Sequence, residues 1–214
     1  MTNPRPASNV LVLAPHTDDA EFGCGGTIAR FVESGVKVTC VAFSAAEESV
    51  PPGLPRDILR TEMKRASGLL GIGDDSLEIL SYPVRKFPHH RQEILEDLVR
   101  LARDVAPDLV LLPSTHDTHQ DHQVIAQEGF RAFKRTSILG YEVPWNNLTF
   151  VTNCFIILEP RHVERKLEAL KCYYSQLGRD YIDGDFIRSL LRTRGGQVGS
   201  TYAEAFEVIR WLVR

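Results

Sequence analysis

Val10-Leu11-Val12-Leu13-Ala14, followed at once by Pro15-His16-Thr17-Asp18-Asp19-Ala20-Glu21, is the stretch that decides how this chain folds. An unbroken apolar run reads as a strand covered on both faces, as in a parallel sheet. A second such run, Leu109-Val110-Leu111-Leu112-Pro113, leads into His116-Asp117-Thr118-His119-Gln120-Asp121-His122. Ligands of an open α/β sheet bind in the crevice beyond the carboxyl ends of its strands. Two buried strands ending in imidazoles and carboxylates therefore point at one crevice. Those are the ligands zinc takes when it keeps a coordination position open for water or substrate.

Strands and helices alternate outward from these two runs. The first strand is followed by a Gly-rich turn and a helix over Thr27–Ser34, closed by Gly35, and Val36–Ser44 is a second strand. Leu54–Leu70 carries a helical stripe (Ile58, Leu59, Met63, Ala66, Leu70) that Gly71 ends. A short strand near Leu77–Leu80 precedes a helix over Gln92–Val105, and Val124–Phe133 is the helix after the second cluster. This order implies an α/β fold with a mostly parallel, doubly wound sheet. Beyond residue 135 the pattern loosens. Ile138–Tyr141 and Phe150–Leu158 read as strands, Arg161–Tyr174 and Phe186–Leu191 as helices, Gly195-Gly196 as a turn, and Phe206–Val213 as a last apolar stretch. The expectation is one domain, residues 1–214, with a C-terminal extension that caps the crevice.

The 214 residues are 43% hydrophobic, enough for a sizeable core, and the net charge of −3 does not suggest a nucleic-acid or membrane surface. No apolar run approaches the roughly 20 residues of a membrane-spanning helix, and Met1–Pro6 lacks the apolar core of a secretory signal. Cys24, Cys40, Cys154 and Cys172 show no C-x-x-C spacing and read as free thiols of a cytoplasmic protein. The sequence does not decide subunit number and is compatible with a homo-oligomer.

His16, Asp18 and Asp19 are more than a helix cap requires, since capping needs one such side chain. A tight turn can direct His16 and Asp19 to a common ion, with Asp18 on its far side. In the second cluster His116, His119 and His122 are spaced by three, and in a continuous helix they would share a face and could bind zinc by themselves. His122, which opens the following helix, is the preferred ligand. Asp117 and Asp121 would orient imidazoles through their other nitrogen. Gly23-Cys24-Gly25-Gly26 could cradle a phosphate in a metal-free nucleotide- or sugar-binding module, but G-x-G-x-x-G spacing is missing, and close packing beneath the metal is the better reading. No G-x-S-x-G supports a serine hydrolase. His89-His90 reads as surface and His162 as structural. Arg60 is a candidate for a substrate phosphate or hydroxyl, Trp145 a candidate sugar-stacking rim, and Tyr202 and Glu204 read as packing and ion-pair groups.

Pro15 through Thr27 resembles the signature of the LmbE-like (PIG-L) de-N-acetylases, and His119-Gln120-Asp121-His122 resembles their H-x-D-H. Arg60-Thr61-Glu62, Tyr173-Tyr174-Ser175-Gln176 and Tyr202-Ala203-Glu204-Ala205-Phe206 are similar as well. The resemblance implies a Rossmann-like hydrolase that uses a metal-activated water to deacetylate N-acetylglucosamine units of a sugar, nucleotide sugar, glycolipid or thiol precursor. It maps the metal ligands to His16, Asp19 and His122, the general base to Asp18, and a group near the oxyanion or leaving amine to His119. Zn²⁺ is the expected ion, and these ligands also accept Fe²⁺. An amidase that cleaves a larger amide of a thiol conjugate shares every one of these features. Thr17 stands where the family usually has proline, which loosens the turn, and Phe43–Glu48 departs from the family's pattern after the second strand.

Overall fold

A computed structural model describes residues 7–176 and 183–213; Met1–Pro6, read above as lacking a leader, lies outside them. The elements run β1 (Asn9–His16), α1 (Asp19–Glu33), β2 (Lys37–Ser44), α2 (Ile58–Leu70), β3 (Leu77–Ile79), α3 (Arg91–Val105), β4 (Leu109–Pro113), α4 (Gln120–Ala132), β5 (Ser137–Tyr141), β6 (Cys154–Leu158), α5 (Pro160–Leu170), α6 (Gly184–Gly196) and β7 (Tyr202–Arg210). They form a 7-stranded sheet in the order β3-β2-β1-β4-β5-β7-β6. Pairing from β3 through β5 is parallel, and β7 is antiparallel to both β5 and β6.

The pleat of β1 explains the two cores. Val10, Val12 and Ala14 pack toward α1, α2 and α5, while Leu11 and Leu13 pack toward α3 and α4. Successive side chains of a strand face opposite sides, so a strand covered on both sides must be apolar throughout. From β1 the chain builds outward to β2 and β3, then returns to β4 and β5 on the other side of β1. The switch point therefore lies between the carboxyl ends of β1 and β4, where both polar clusters begin.

Five sequence expectations change in detail. The glycines after the first cluster are not a turn. They lie inside α1, which starts at Asp19 and is broken at Cys24 (φ −148°). A Cβ on Gly23 would stand 2.2 Å from the Tyr141 ring, and one on Gly26 would stand 2.5 Å from Leu158 Cδ1, so close packing selects glycine here. Gly195-Gly196 likewise ends α6 instead of forming a separate turn. The Phe150–Leu158 strand is confined to Cys154–Leu158, and the helix read to Tyr174 stops at Leu170. The C-terminal segment does more than cap: β7 inserts between β5 and β6 and enlarges the sheet.

The break in α1 is held by residues far away in sequence. Glu204 on β7 accepts from Gly26 N (3.0 Å) and Thr27 N (2.6 Å), and Lys166 on α5 donates to Phe22 O (2.6 Å) and to Glu204 (2.7 Å). Glu204 thus caps the second half of α1 while Lys166 takes a carbonyl left over from the first. These backbone N–H groups are already occupied, which removes the phosphate-cradle reading of the glycines. The four cysteines are free.

Candidate metal centre

The tight turn after β1 folds back on itself, with His16 N donating to Asp19 Oδ2 (2.8 Å). That brings His16 Nδ1 to 3.2 Å and His122 Nε2 to 3.3 Å from the same oxygen. His16, Asp19 and His122 can each offer one donor atom to a common ion. The far nitrogen of each ring is taken: His16 Nε2 lies 3.0 Å from Asp121 Oδ2, and His122 Nδ1 lies 2.7 Å from Asp117 Oδ2. A carboxylate behind each imidazole fixes its tautomer and turns the other nitrogen toward the ion. A second grouping, His16, His119 and Asp121, is also compact, but its atoms are otherwise engaged. Asp121 already accepts from Arg85 N (2.6 Å) and Phe87 N (3.2 Å), and His119 Nδ1 accepts from Asp121 N (3.2 Å).

The electrostatics ask for positive charge at this point. Burial alone pushes both imidazoles down, but the carboxylates beside them outweigh it. Asp121 and Asp19 bring His16 to about 9, and Asp19 and Asp117 bring His122 to about 10. Asp19 is buried, which raises its pKa, yet the His122 and His16 rings hold it well below the usual carboxylate range. A divalent cation meets the same demand through the same atoms, and the N, O, N donor set suits zinc. His16, Asp19 and His122 therefore fit a metal ion.

Asp18 is half-buried, lines the cleft, and makes no cap hydrogen bond to α1 although it occupies the N-cap position. Glu21, by contrast, is buried away from the cleft beside Tyr173; burial, with Asp18 and Asp19 adding to it, pushes its carboxyl up to about 8. His119 is the N-cap of α4. Burial, reinforced by the neighbouring His122 and His16 rings, pushes its pKa down. Only His122 of the three spaced histidines lies within the helix; His116 sits in the preceding loop, 3.9 Å from Glu207. Glu207 on β7 ties that loop down by accepting from Ser114 Oγ (2.8 Å) and Thr115 N (2.9 Å).

The cleft above these groups measures about 310 Å³, within the usual range of small-molecule sites. Trp145 stands at its edge, stacked edge-on against Phe22 at 5.2 Å. Arg60 does not reach the cleft. Its guanidinium donates to Ile79 O (3.1 Å), Leu80 O (3.3 Å) and Ser81 Oγ (2.8 Å) and pairs with Glu47, while its neighbour Leu59 lines the wall. Glu62, one helical step on, accepts from Ser175 N (2.9 Å) and Ser175 Oγ (2.6 Å), which brings Gln176 to the cleft. His162 is structural, completing a capping box with Glu159 at the start of α5, and His89 is exposed. The sequence reading missed Arg85, which also lines the cleft. It follows β3, and the strand-end rule that found both clusters could have found it.

Comparison with known proteins supplies the family and supports the fold. The chain is 25% identical over 224 residues to the diacetylchitobiose deacetylase of Thermococcus kodakarensis, covering 94% of this chain and 82% of that protein. The structure of N,N'-diacetylchitobiose deacetylase from Pyrococcus horikoshii superposes with a TM-score of 0.82 at 24% identity, over 97% of this chain and 86% of the other. GalB, the 4-carboxy-2-hydroxymuconate hydratase of Pseudomonas putida KT2440, shares the fold as well: TM-score 0.78 at 19% identity, over 96% of this chain and 97% of that one. The sequence profile of the GlcNAc-PI de-N-acetylases matches residues 11–133, and the chain belongs to that PIG-L family.

Proposed function

We propose that this protein is a divalent-metal-dependent hydrolase that removes the acetyl group from an N-acetylglucosamine-type sugar. One observation carries the reading: the inward nitrogens of His16 and His122 converge on Asp19 while Asp121 and Asp117 hold their outward nitrogens. The family profile and the diacetylchitobiose deacetylase relative supply the substrate class. Zn²⁺ is the ion proposed. When bound, it contributes Lewis acidity and lowers the pKa of a coordinated water to about 7.

The remaining work falls to side chains. Asp18 faces the cleft next to a ligand and takes the proton of the attacking water. Once protonated, it can pass that proton to the leaving nitrogen. His119 accepts a backbone N–H at Nδ1, so that nitrogen carries no proton and the neutral ring is protonated at Nε2. Its lowered pKa keeps it neutral near pH 7. His119 thus donates from Nε2 to the oxyanion as it forms, which is oxyanion-hole chemistry. Trp145 offers an aromatic edge to a sugar face.

The test is acetate release from a panel of N-acetylated sugars by zinc-loaded protein, with Asp18→Asn as the control. Acetate formed by the wild type and lost in the variant supports the reading. A panel that includes a larger thiol-conjugate amide and an unsaturated dicarboxylate, and in which only one of these turns over, would replace it with amidase or hydratase activity.

A further inference from the structure

We infer that Arg85 selects substrates whose amino sugar carries an anionic group, a phosphate or carboxylate, at the end away from the acetamide. The inference rests on the deacetylase reading for the identity of the sugar, while the guanidinium itself supplies the anion preference.

Arg85 lines the cleft and is exposed, and no other Arg or Lys does so among the described residues. Its backbone is fixed two hydrogen bonds from a metal ligand, because Arg85 N donates to Asp121 Oδ2, which also meets His16 Nε2. Its guanidinium makes no hydrogen bond or ion pair with any described residue. Other arginines around the site answer carboxylates: Arg60 pairs with Glu47, Arg91 with Glu128, and Arg194 with Glu142. An uncompensated guanidinium at the mouth of a cleft is a ready partner for a carboxylate or phosphate, which it can grip with two parallel hydrogen bonds.

Charge fixes the direction. The cleft floor holds Asp18 and Asp19 with Asp117 and Asp121 behind them, carboxylates that answer the proposed metal ion and the imidazoles, and no Arg or Lys among the described residues stands there for a second anion. Among the described residues lining this cleft Arg85 is the one Arg or Lys, so a permanent substrate anion is best placed at its rim and the neutral acetamide at the floor.

The backbone sharpens the point. Arg85 has φ +65°, a conformation that glycine adopts without steric cost and other residues avoid. Glycine could make the same N–H bond to Asp121. A long cationic side chain kept in such a backbone at a cleft mouth points to a function for the side chain.

Arg85→Gly is therefore a clean test, since it keeps the backbone donor and drops the guanidinium; Arg85→Lys returns the charge without the fork. Zinc-loaded wild type and both variants are given methyl N-acetylglucosaminide, N-acetylglucosamine 1-phosphate and an N-acetylglucosaminide of a hydroxy acid. The anionic-to-neutral ratio of kcat/KM should favour the anion by about 10- to 100-fold in the wild type, the worth of one charge-assisted hydrogen bond. It should collapse toward unity in Arg85→Gly and recover in part in Arg85→Lys. The phosphate and carboxylate arms show which anion is preferred. Calorimetric binding of glucosamine 1-phosphate against methyl glucosaminide should give the same ordering without catalysis. Equal use of neutral and anionic sugars by the wild type, or an equal loss of both in Arg85→Gly, overturns the inference. Selective binding without acetate release from any sugar would overturn the deacetylase reading while upholding Arg85 as an anion selector.

Discussion

Replacing Glu204 by Gln should cost far more stability than its distance from the cleft suggests. The Glu204 and Lys166 side chains are 3% and 2% exposed, so the pair is desolvated. The carboxylate faces three donors: Lys166 Nζ, Gly26 N and Thr27 N. Gln keeps the shape but sets its own N–H₂ against at least one of them and leaves the Lys166 charge without a counter-ion. Breaking a buried pair from one side costs about 3–5 kcal/mol, a large part of a domain's typical stability of about 5–15 kcal/mol. Lys166→Met should cost less, because Glu204 would keep two backbone donors at a helix N-terminus, where negative charge is favoured. The double variant should be more stable than the two single losses predict by addition. Urea unfolding of metal-free protein measures all three. A Glu204→Gln loss under about 1 kcal/mol, the scale of a solvent-screened surface pair, would refute the claim that this pair holds the broken helix together.

Metal binding near pH 7 should release about two protons, because His16 and His122 sit at about 9 and about 10 before the ion arrives; calorimetry in buffers of different ionisation enthalpy counts them, and a count near zero refutes it. By the same sign, metal-free protein has the His16 and His122 contribution in full below the unfolded pKa of about 6.5 and loses it as pH rises through 9 to 10; unfolding midpoints from pH 6 to 10 should fall for metal-free protein. Asp18→Asn should keep its metal while kcat drops by roughly 10²–10⁴, and near-normal turnover would remove Asp18 as the base. His119→Ala should stay metal-loaded and lose about 10²–10³ in kcat, the range for one oxyanion donor; metal loss in that variant would make His119 a ligand.

What could be read in the sequence was local. The strands β1 and β4 announce themselves because both faces are covered, and the polar clusters follow them directly, so the side chains that converge at the strand ends, and the carboxylates behind the imidazoles, could be picked out before their geometry was known. The start of α1 could not. Gly23, Gly25 and Gly26 look like a loop until Tyr141, Lys166 and Leu158 occupy the space beside them, and the cap for the second half of the helix comes from Glu204, 178 residues from Gly26. Arg60 lies outside the cleft for a related reason. Its helix turns Leu59 toward the cleft and Arg60 toward the carbonyls after β3, and one residue of rotation separates a lining position from a structural one. The insertion of β7 between β5 and β6 rests on long-range pairing that no local pattern reports.

The division between floor and rim explains how one scaffold can carry different reactions. On the proposed reading, a metal ion, a carboxylate base and a neutral imidazole donor would prepare water to attack an electrophile, and nothing in that set is specific to an acetamide. The fold itself is shared with a protein described as a hydratase. Selection must then come from what surrounds the floor: Ser49 after β2, Arg85 after β3, Trp145 and Asn146 after β5, and Gln176 after α5. These positions lie on connections, which accept substitution without disturbing the strands that fix the ligands. Arg85 is the exception that couples the two layers, because the backbone N–H that orients Asp121, and through it His16, belongs to the same residue whose side chain stands at the rim. Changes to the side chain should redirect the substrate, whereas changes that move its backbone should be felt at the metal.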